Sequence, residues 1–590
     1  MIEKKNKVAL PLALGAAGLL IAGGAATYWF ITQRNTGSGD VPVGANIIPQ
    51  TALMAVSVST DSNQWQTLRQ FGTPETQALV DQNLAQWRDR LLTANGYNYQ
   101  KDIQPWVGKQ ATFAFLPSQT PPPANPTPNN PTPSLPSPTP GRQQSVVLVL
   151  PITNPGQAQQ ALSQPKTGVA TKWTQREYKG VQIRETQGAP TQNYSATVLD
   201  GRFLVVTTDP KITDQAIDTY KGGASLLTAP GYSAAFSKVG SNQAFANLYV
   251  NVPAAAAVAS TSSAVPVAPE SLTQQIQGLT ATFNLQPQGV LVRSVSWLKP
   301  DSKKKYTVTN AAKSMTSRLP AETLVMASGG NLKNLWEQYI QGATTATSPN
   351  LTNPQVLREG LQTQTGLDLD KDLLKWMDGE FSLALISNPQ KAPTDLPAGL
   401  MFMVQASDRR AAEKAFKQLD EVMAKRYNFK VNEVKVGNQS TITWAPALGG
   451  AIASHGWLDS NVAFLSVGAP VASNIIPKPL TPLAASELFQ ATVPTELKPN
   501  NGHFFIDVDR TLSSNLALIR LAPSSQVWAK AIQSIGVTGA ISDERTTRYD
   551  VFVRLRQGNK PGALPSASSN PGATPSPTLS PSPTPSQDSR

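Results

Sequence analysis

Hydrophobic and polar positions alternate over many short segments of the chain, which predicts a protein rich in β-strands. Two of these strands follow a motif that occurs twice. Residues 96–116 read GYNYQKDIQPWVGKQATFAFL and residues 366–386 read GLDLDKDLLKWMDGEFSLALI. A gapless alignment pairs Gly96, Asp102 and Trp106 with Gly366, Asp372 and Trp376. The repetition predicts an internal duplication in which these residues are structural anchors.

The segments on either side of the two motifs also recur in the same order. The segment Ile48–Val56 resembles Leu319–Ala327, and a tryptophan follows each predicted strand, Trp65 in the first case and Trp336 in the second. A ligand-binding aromatic residue would more naturally occur in one copy only. We therefore expect these tryptophans to be matched core residues, as we do for Trp106 and Trp376.

The repeated order predicts an α+β fold of two tandem homologous copies, each an antiparallel sheet with helices on one face. The predicted boundaries are a spacer at 36–45, a first copy at 46–300, a basic connector at 301–317, a second copy at 318–558 and a disordered tail at 559–590. The segment Pro117–Pro140 is rich in proline, which cannot donate to a strand ladder, so we expect a solvated loop insertion there.

Local signals identify some elements more sharply. Thr73 precedes Pro74 and Glu75, the pattern of a capped helix start. The pair Asp200–Gly201 lies between two apolar runs and predicts a two-residue hairpin turn. The pair Asp209–Pro210 predicts the start of the next helix.

The segment Val8–Ile31 contains no charged residue and is long enough to cross a bilayer. Three lysines precede it and only Arg34 closely follows it, which places the N-terminus in the cytoplasm. Residues 1–35 are therefore predicted to be a cytoplasmic stub and a single transmembrane helix. The rest of the chain would lie in the periplasm or the thylakoid lumen. A cleaved signal peptide is the alternative, although its apolar region would be shorter.

Composition narrows the possible chemistry. The chain has no cysteine, which excludes disulfides, thiolate zinc sites and cysteine nucleophiles. Its net charge is +12, from 50 basic and 38 acidic residues. Apart from the cluster around Lys303–Lys305, the basic residues are dispersed rather than concentrated in a groove, so no nucleic-acid partner is expected.

The phrases YQKDIQPWVGKQATFAF, REYKGV and DGRFLVVTTDPK carry a family likeness. The chain resembles the membrane-anchored, mainly cyanobacterial family catalogued as domain of unknown function 3352, over roughly Asn46 to Arg556. The resemblance implies an anchored extracytoplasmic protein. It implies no catalytic activity and no cofactor.

Acidic residues cluster in the second motif, at Asp368, Asp370 and Asp372. An EF-hand calcium loop that began at Asp368 would need glycine at its sixth position and glutamate at its twelfth. Those positions hold Leu373 and Gly379. We therefore interpret the cluster as a solvated loop, with a calcium site as the alternative.

A second polar set contains His503, Asp507 and Asp509. Strict alternation along a strand would place all three on one face, where they could bind a metal or perform acid–base catalysis. The first copy has Phe245 and Asn251 in place of His503 and Asp509, which favours a solvated sheet face.

Two further features of the sequence do not indicate a catalytic site. His455, near a predicted hairpin turn, is interpreted as a surface residue. Ser302 and Lys305 form a bare S-x-x-K pattern in a charged connector where we expect no pocket.

With two histidines and no recognised catalytic motif, the leading function is a non-catalytic scaffold or binding module for envelope or lumenal proteins. One alternative is a carrier of a lipid or another apolar ligand, held between sheet and helices. Another is a hydrolase that uses His503 and Asp507.

Overall fold

The structure is a computed structural model that describes residues 41–93, 96–117, 144–163, 172–187, 194–259, 275–343, 354–388, 396–446, 452–514, 516 and 522–565. The predicted transmembrane segment Val8–Ile31 lies outside these residues. So do 118–140 of the proline-rich loop and 566–590 of the tail. Across the described ranges, no helix is both long and apolar enough to cross a lipid bilayer.

The protein is built on one sheet of 20 strands. The first ten are β1 Met54–Ser59, β2 Gln110–Pro117, β3 Gln144–Pro151, β4 Lys172–Tyr178, β5 Val181–Gln187, β6 Ser195–Leu199, β7 Phe203–Thr207, β8 Ala246–Asn251, β9 Ile276–Gln286 and β10 Gly289–Leu298. The second ten are β11 Thr323–Gly329, β12 Phe381–Ser387, β13 Ala398–Gln405, β14 Lys430–Val436, β15 Gln439–Ala445, β16 Ile452–Trp457, β17 Val462–Gly468, β18 Gly502–Asp507, β19 Ile532–Asp543 and β20 Thr546–Leu555.

All neighbouring strands are antiparallel, and the order across the sheet is symmetric. From one edge to the centre it is β4-β5-β6-β7-β3-β2-β1-β8-β9-β10. From the other edge it is β14-β15-β16-β17-β13-β12-β11-β18-β19-β20. Strands β10 and β20 pair at the centre. The second ten strands therefore repeat the order of the first ten.

Thirteen α-helices connect the described strands. They are α1 Ser62–Arg69, α2 Pro74–Leu91, α3 Pro155–Ser163, α4 Pro210–Tyr220, α5 Tyr232–Val239, α6 Val252–Ala259, α7 Met315–Arg318, α8 Leu332–Ala343, α9 Pro354–Thr365, α10 Arg409–Lys425, α11 Glu487–Thr492, α12 Val508–Ser513 and α13 Pro523–Ala529. Two single π-helical turns, Tyr99–Ile103 and Leu369–Leu373, precede β2 and β12.

Local sequence signals fix several of these boundaries. Thr73 caps α2 in a capping box with Thr76, as its position before Pro74 predicted. Asp200 and Gly201 both have positive φ, at 47° and 65°, and they close the β6–β7 hairpin as predicted. Asp209 accepts a hydrogen bond from the backbone of Lys211 at the start of α4.

Helices cover both faces of the sheet, so the prediction of helices on one face is wrong. In the first half, Ile212 on α4 and Phe236 on α5 pack with Ala114 of β2. On the opposite face, Trp65 on α1 and Leu84 on α2 pack with Val58 of β1. The strands are apolar at successive positions, as in the FAFL run of β2, and each face therefore needs its own cover.

The end of the described chain returns to the first half. The side chain of Gln77 on α2 donates to the carbonyl of Asn559 at 2.9 Å, and Arg69 on α1 donates to the carbonyl of Gly562 at 2.8 Å. Leu564 packs against the cluster that contains Trp65. Residues 559–565, which composition predicted to be disordered, are therefore held along α1 and α2.

Candidate functional site

The two tryptophan motifs adopt the same local structure. In each motif the tryptophan follows the π-helical turn, and its indole donates to the carbonyl of the aspartate four residues earlier, at 2.6 Å for Trp106 and Asp102 and at 2.8 Å for Trp376 and Asp372. Both rings are fully buried, with exposures of 0% and 1%. In both motifs, therefore, the indole N–H is satisfied within the protein and apolar side chains enclose the ring.

The aspartates of the two motifs also act alike. Asp102 accepts the backbone N–H of Asn98 at 2.6 Å, and Asp372 accepts that of Asp368 at 2.8 Å. The preceding glycines, Gly96 and Gly366, have positive φ values of 74° and 73°. Glycine adopts this conformation without the steric cost that a Cβ atom imposes.

The other tryptophan pair is not matched, so the prediction that Trp65 and Trp336 occupy equivalent core positions is wrong. Trp65 is 1% exposed and donates to the carbonyl of Ser59 at 2.8 Å. Trp336 is only half-buried and donates to Oδ1 of Asp370 at 3.1 Å. The guanidinium of Arg358 lies 5.5 Å from its ring centroid. These contacts hold α8 against α9 and the π-helical turn.

The acidic cluster of the second motif is occupied by protein donors. Asp370 pairs with Arg358 at 2.5 Å, and the hydrogen bond from Arg358 lowers the pKa of Asp370. Asp368 caps the π-helical turn by accepting the backbone N–H groups of Asp370 and Lys371. No group of three potential metal ligands is found among the described residues.

The structure does not bring His503, Asp507 and Asp509 together. His503 Nδ1 lies 3.1 Å from the hydroxyl of Thr538, and burial lowers the pKa of the imidazole. Asp507 caps α12 and pairs with Arg510. Strand β18 ends at Asp507, so Asp509 lies in the helix, where it pairs with Arg556. The predicted alternation through Asp509 is therefore wrong. The match of His503 with Phe245 is also wrong, because the strand pairings make Asn247 its counterpart in the first half.

His455 is buried, with 4% exposure, which corrects its interpretation as a surface residue. Its Nε2 lies 2.8 Å from Oδ1 of Asp420 on α10, and the indole of Trp444 donates to the same oxygen at 2.6 Å. The ring of Phe416 stacks on the imidazole at 4.5 Å between centroids. This polar group is enclosed by aromatic rings and fixes α10 on the sheet.

An apolar stripe crosses five strands of the second half. We use this name for Phe504 on β18, Ala327 on β11, Leu383 on β12, Leu400 on β13 and Val467 on β17. The first three lie directly opposite one another along one row. Leu400 lies opposite Val467 and diagonally beside Leu383, so all five side chains share one face.

The large side chains of the stripe remain in contact with solvent. Phe504, Leu383, Leu400 and Val467 are between 37% and 44% exposed. Isolated apolar residues on a surface need no explanation, but a contiguous row across five strands is a feature of interaction sites.

The equivalent face of the first half is covered better. By strand position the counterparts of Phe504, Ala327 and Leu383 are Leu248, Val56 and Phe113, and all three are half-buried. Val56 and Leu248 pack against the cluster built around Trp65. In the second half, Trp336 is engaged by α9 instead, so it supplies no matching cover.

A polar pocket of about 600 Å³ lies beside the end of β10. Its lining includes Ser302 and Lys305, so the expectation that no pocket surrounds the S-x-x-K pattern is wrong. The pattern still provides no nucleophile–base pair. Ser302 donates to Oε1 of Gln275 at 2.6 Å, and Lys305 pairs with Glu544 at 2.6 Å.

Comparison with known families decides where the chain belongs. The family described as "Protein of unknown function (DUF3352)" matches residues 13–555, which is nearly the whole chain. The chain belongs to this family. A search among curated proteins found no match.

Solved structures give this DUF3352 member only weak similarities. Crystal form III of TP0453 matches with a TM-score of 0.24 and 9% identity, covering 46% of this chain and 83% of the other. Crystal form IV matches with a TM-score of 0.24 and 10% identity, covering 45% and 82%. At these TM-scores we draw no conclusion about fold or function.

Sequence reasoning missed both the stripe and the pocket of this DUF3352 protein. A signal for the stripe is present in β12, where FSLALIS is apolar at successive positions on both faces. A signal for the pocket is the run Lys303–Lys305 close behind Lys299. The stripe can be identified only once the pairing of the strands is known, and the pocket only once the path of the chain after β10 is known.

Proposed function

We propose that the protein is a membrane-anchored, extracytoplasmic binding module without catalytic activity, which docks a partner protein on the apolar stripe. The observation that carries the proposal is the exposure of four large apolar side chains on one face of five neighbouring strands. The candidate catalytic residues support it indirectly, because His503, Asp507 and Asp509 each serve a separate structural contact.

We infer that the two halves are homologous copies of one unit. The repeated strand order supports this inference, as do the matched hydrogen bonds of Trp106 and Trp376. The two halves differ at Trp65 and Trp336, which are buried to different extents. The second copy also has an exposed sheet face, which fits a duplication in which one copy kept a closed core and the other acquired a binding surface.

A protein partner fits the stripe better than a small ligand does. Adjacent strands lie about 4.8 Å apart, so a row over five strands is roughly 19 Å long and follows the open surface of the sheet. Small-ligand sites are concave and enclose most of their ligand, whereas the apolar core of a protein interface is open in the free protein.

The anchor and the location are part of the same proposal. An uncharged segment at Val8–Ile31 with lysines before it would hold the folded part on the periplasmic side of a plasma membrane or on the lumenal side of a thylakoid membrane. Protease treatment of intact and of lysed cells tests this topology. The protease is expected to digest the protein in intact spheroplasts or in opened thylakoid vesicles. Full protection of the protein in both preparations would contradict the proposed topology.

The docking experiment compares two positions in the full-length chain. A photoreactive amino acid replaces Leu383 in the stripe or, as the control, Val198 on β6, which is 40% exposed but lies outside it. Irradiation of intact cells is expected to link one defined protein at position 383 and not at position 198. Equal labelling at both positions would contradict the proposal.

Purified components then test whether the stripe itself binds that protein. Changing Leu383→Ser together with Val467→Ser is expected to weaken binding at least about tenfold, because apolar area leaves the interface. Val198→Ser is expected to leave binding unchanged. Unaltered affinity in the double variant would overturn the assignment of the stripe.

A carrier of a lipid or another apolar ligand is the second candidate, and the apolar character of the stripe favours it. Mass spectrometry of organic extracts from the purified full chain distinguishes the two functions. A lipid present at about one molecule per chain, and lost in the Leu383→Ser and Val467→Ser double variant, would replace the partner protein as the occupant.

A further inference from the structure

We propose that the lysine-lined pocket beside β10 binds a phosphate-bearing anion. The pocket is built by the turn that follows β10 and by Gln275, which precedes β9. Four of its lining residues are Lys299, Lys303, Lys304 and Lys305, and one is acidic, Asp301. This inference is independent of the docking function proposed for the stripe.

Most of the positive charge in the pocket has no partner in the protein. Lys305 is neutralised by Glu544 at 2.6 Å. For Lys299, Lys303 and Lys304, no carboxylate lies within 4 Å in the part of the chain that the structure describes. With Asp301 counted, the pocket keeps an excess of positive charge, which an anion would balance.

One of these lysines is also partly removed from water. Lys304 is half-buried, its ammonium lies 5.5 Å from the ring centroid of Tyr306, and burial lowers its pKa. An ammonium held in such a site gains more from a bound anion than one that is fully hydrated. A bound anion would favour the charged form of Lys304.

The backbone that carries the lysines is fixed in advance. Arg545, from the β19–β20 turn, donates to the carbonyls of Lys299 and Ser302. Ser302 donates to the side chain of Gln275 and accepts the backbone N–H of Lys304 at 3.1 Å. Binding would still reduce the conformational entropy of the lysine side chains, but the backbone that carries them is ordered before the anion binds.

The chemistry points to phosphate rather than to a single carboxylate. Several compact ammonium groups around one space match a multiply charged tetrahedral anion, for which lysine serves as a point charge. A pocket of about 600 Å³ has the size of a small-molecule site, so it has room for a phosphate together with an organic group. A soluble phosphate ester and an anionic lipid head group share this chemistry.

Calorimetric titration of the full-length chain in non-ionic detergent tests the site. The probes are glycerol 3-phosphate and short-chain dihexanoyl phosphatidic acid, a lipid with a phosphomonoester head group, with glycerol as the uncharged control. Saturable binding of one probe per chain is expected. Binding of glycerol 3-phosphate identifies a site for soluble phosphate esters, and binding of the lipid alone identifies a head-group site. Absence of saturable binding by both probes overturns the proposal.

Charge-matched variants separate this pocket from general electrostatic attraction. Lys303→Gln with Lys304→Gln is expected to weaken binding about tenfold or more, because charge-assisted hydrogen bonds are lost. Lys414→Gln with Lys417→Gln, exposed positions on α10, removes the same charge and is expected to change affinity less than twofold. Equal losses in both variants would overturn the proposal, and so would loss of binding in Lys304→Arg, which keeps the charge.

Discussion

Arg293 and Asp550 lie directly opposite each other at the centre of the 20-stranded sheet. Each is the fifth residue of its strand, Arg293 on β10 and Asp550 on β20. Strands β10 and β20 occupy the same place in their respective halves, and their antiparallel pairing brings the fifth residue of one opposite the fifth residue of the other. This is the arrangement that a local two-fold axis produces. Nε of Arg293 is 4.0 Å from Oδ2 of Asp550, and Asp550 is completely buried.

The central carboxylate should contribute strongly to stability. Asp550 accepts two hydrogen bonds from Arg548 at 3.0 Å in addition to its proximity to Arg293. Asp550→Ala is expected to lower the free energy of unfolding by about 3 kcal/mol, because it removes the buried acceptor of the Arg548 guanidinium and the carboxylate beside Nε of Arg293. Urea denaturation measures the change. Asp543→Ala, which breaks an exposed pair with Lys238, should cost less than about 1 kcal/mol, and equal losses would contradict the expectation.

The two anchor tryptophans should respond alike to substitution. Trp106→Phe and Trp376→Phe each remove the N–H donor to an aspartate carbonyl and reduce a buried side chain. Each is expected to cost about 2 kcal/mol of unfolding free energy. Trp336→Phe, at a half-buried ring, should cost less than about 1 kcal/mol. A large cost at one anchor and none at the other would be evidence against equivalent roles.

Acid should destabilise the protein in part through His503. Burial places the pKa of folded His503 below its ordinary value, although the charge of Glu380 opposes the shift. As pH falls through the ordinary value, about 6.5, the unfolded state binds more protons than the folded state, so stability decreases. His503→Gln removes this contribution. The stability advantage of the wild-type protein over His503→Gln should therefore shrink between pH 8 and pH 5 in urea titrations. A constant or growing difference would contradict the assignment.

Two glycines close in sequence should respond to alanine in opposite directions. Gly366 has a φ of 73°, and a Cβ atom there would meet only Gln418, at 3.6 Å. Gly366→Ala is expected to destabilise by about 1 kcal/mol through backbone strain alone. Gly360 lies within α9 with open space around it, so Gly360→Ala should stabilise by roughly 0.5–1 kcal/mol. Thermal unfolding of both variants checks the signs, and a shared sign would be inconsistent with these conformations.

Local features were predictable from sequence where neighbouring residues determine them. Thr73 with Pro74 identified a helix start, and Asp200–Gly201 identified a hairpin turn, because caps and turns depend on two to four consecutive residues. The buried anchors Trp106 and Trp376 were found from their repetition. Burial of His455 was missed, since its partner Asp420 lies 35 residues away on a helix.

The pairing of strands that are far apart in the sequence could not be predicted. In the sequence, the alternation of apolar and polar residues continues past Asp507. In the structure, Asp507 caps a helix, so β18 ends there and Asp509 lies in the helix. The two predicted copies share one sheet because β10 pairs with β20, which is more than 240 residues away. The stripe likewise consists of residues from five strands that are far apart in the sequence, and only the strand pairing brings them onto one face.

The segment 559–565 along α1 and α2 has a consequence for biogenesis. Because the chain is synthesised from its N-terminus, the first half is made well before the residues that complete it, which are β20 and the stretch around Gly562 and Leu564. Until then the β10 edge is unpaired and the flank of the Trp65 cluster is bare. The first half can therefore finish folding only after these later residues have been made, so truncated translation products would expose an unpaired strand edge to quality-control proteases.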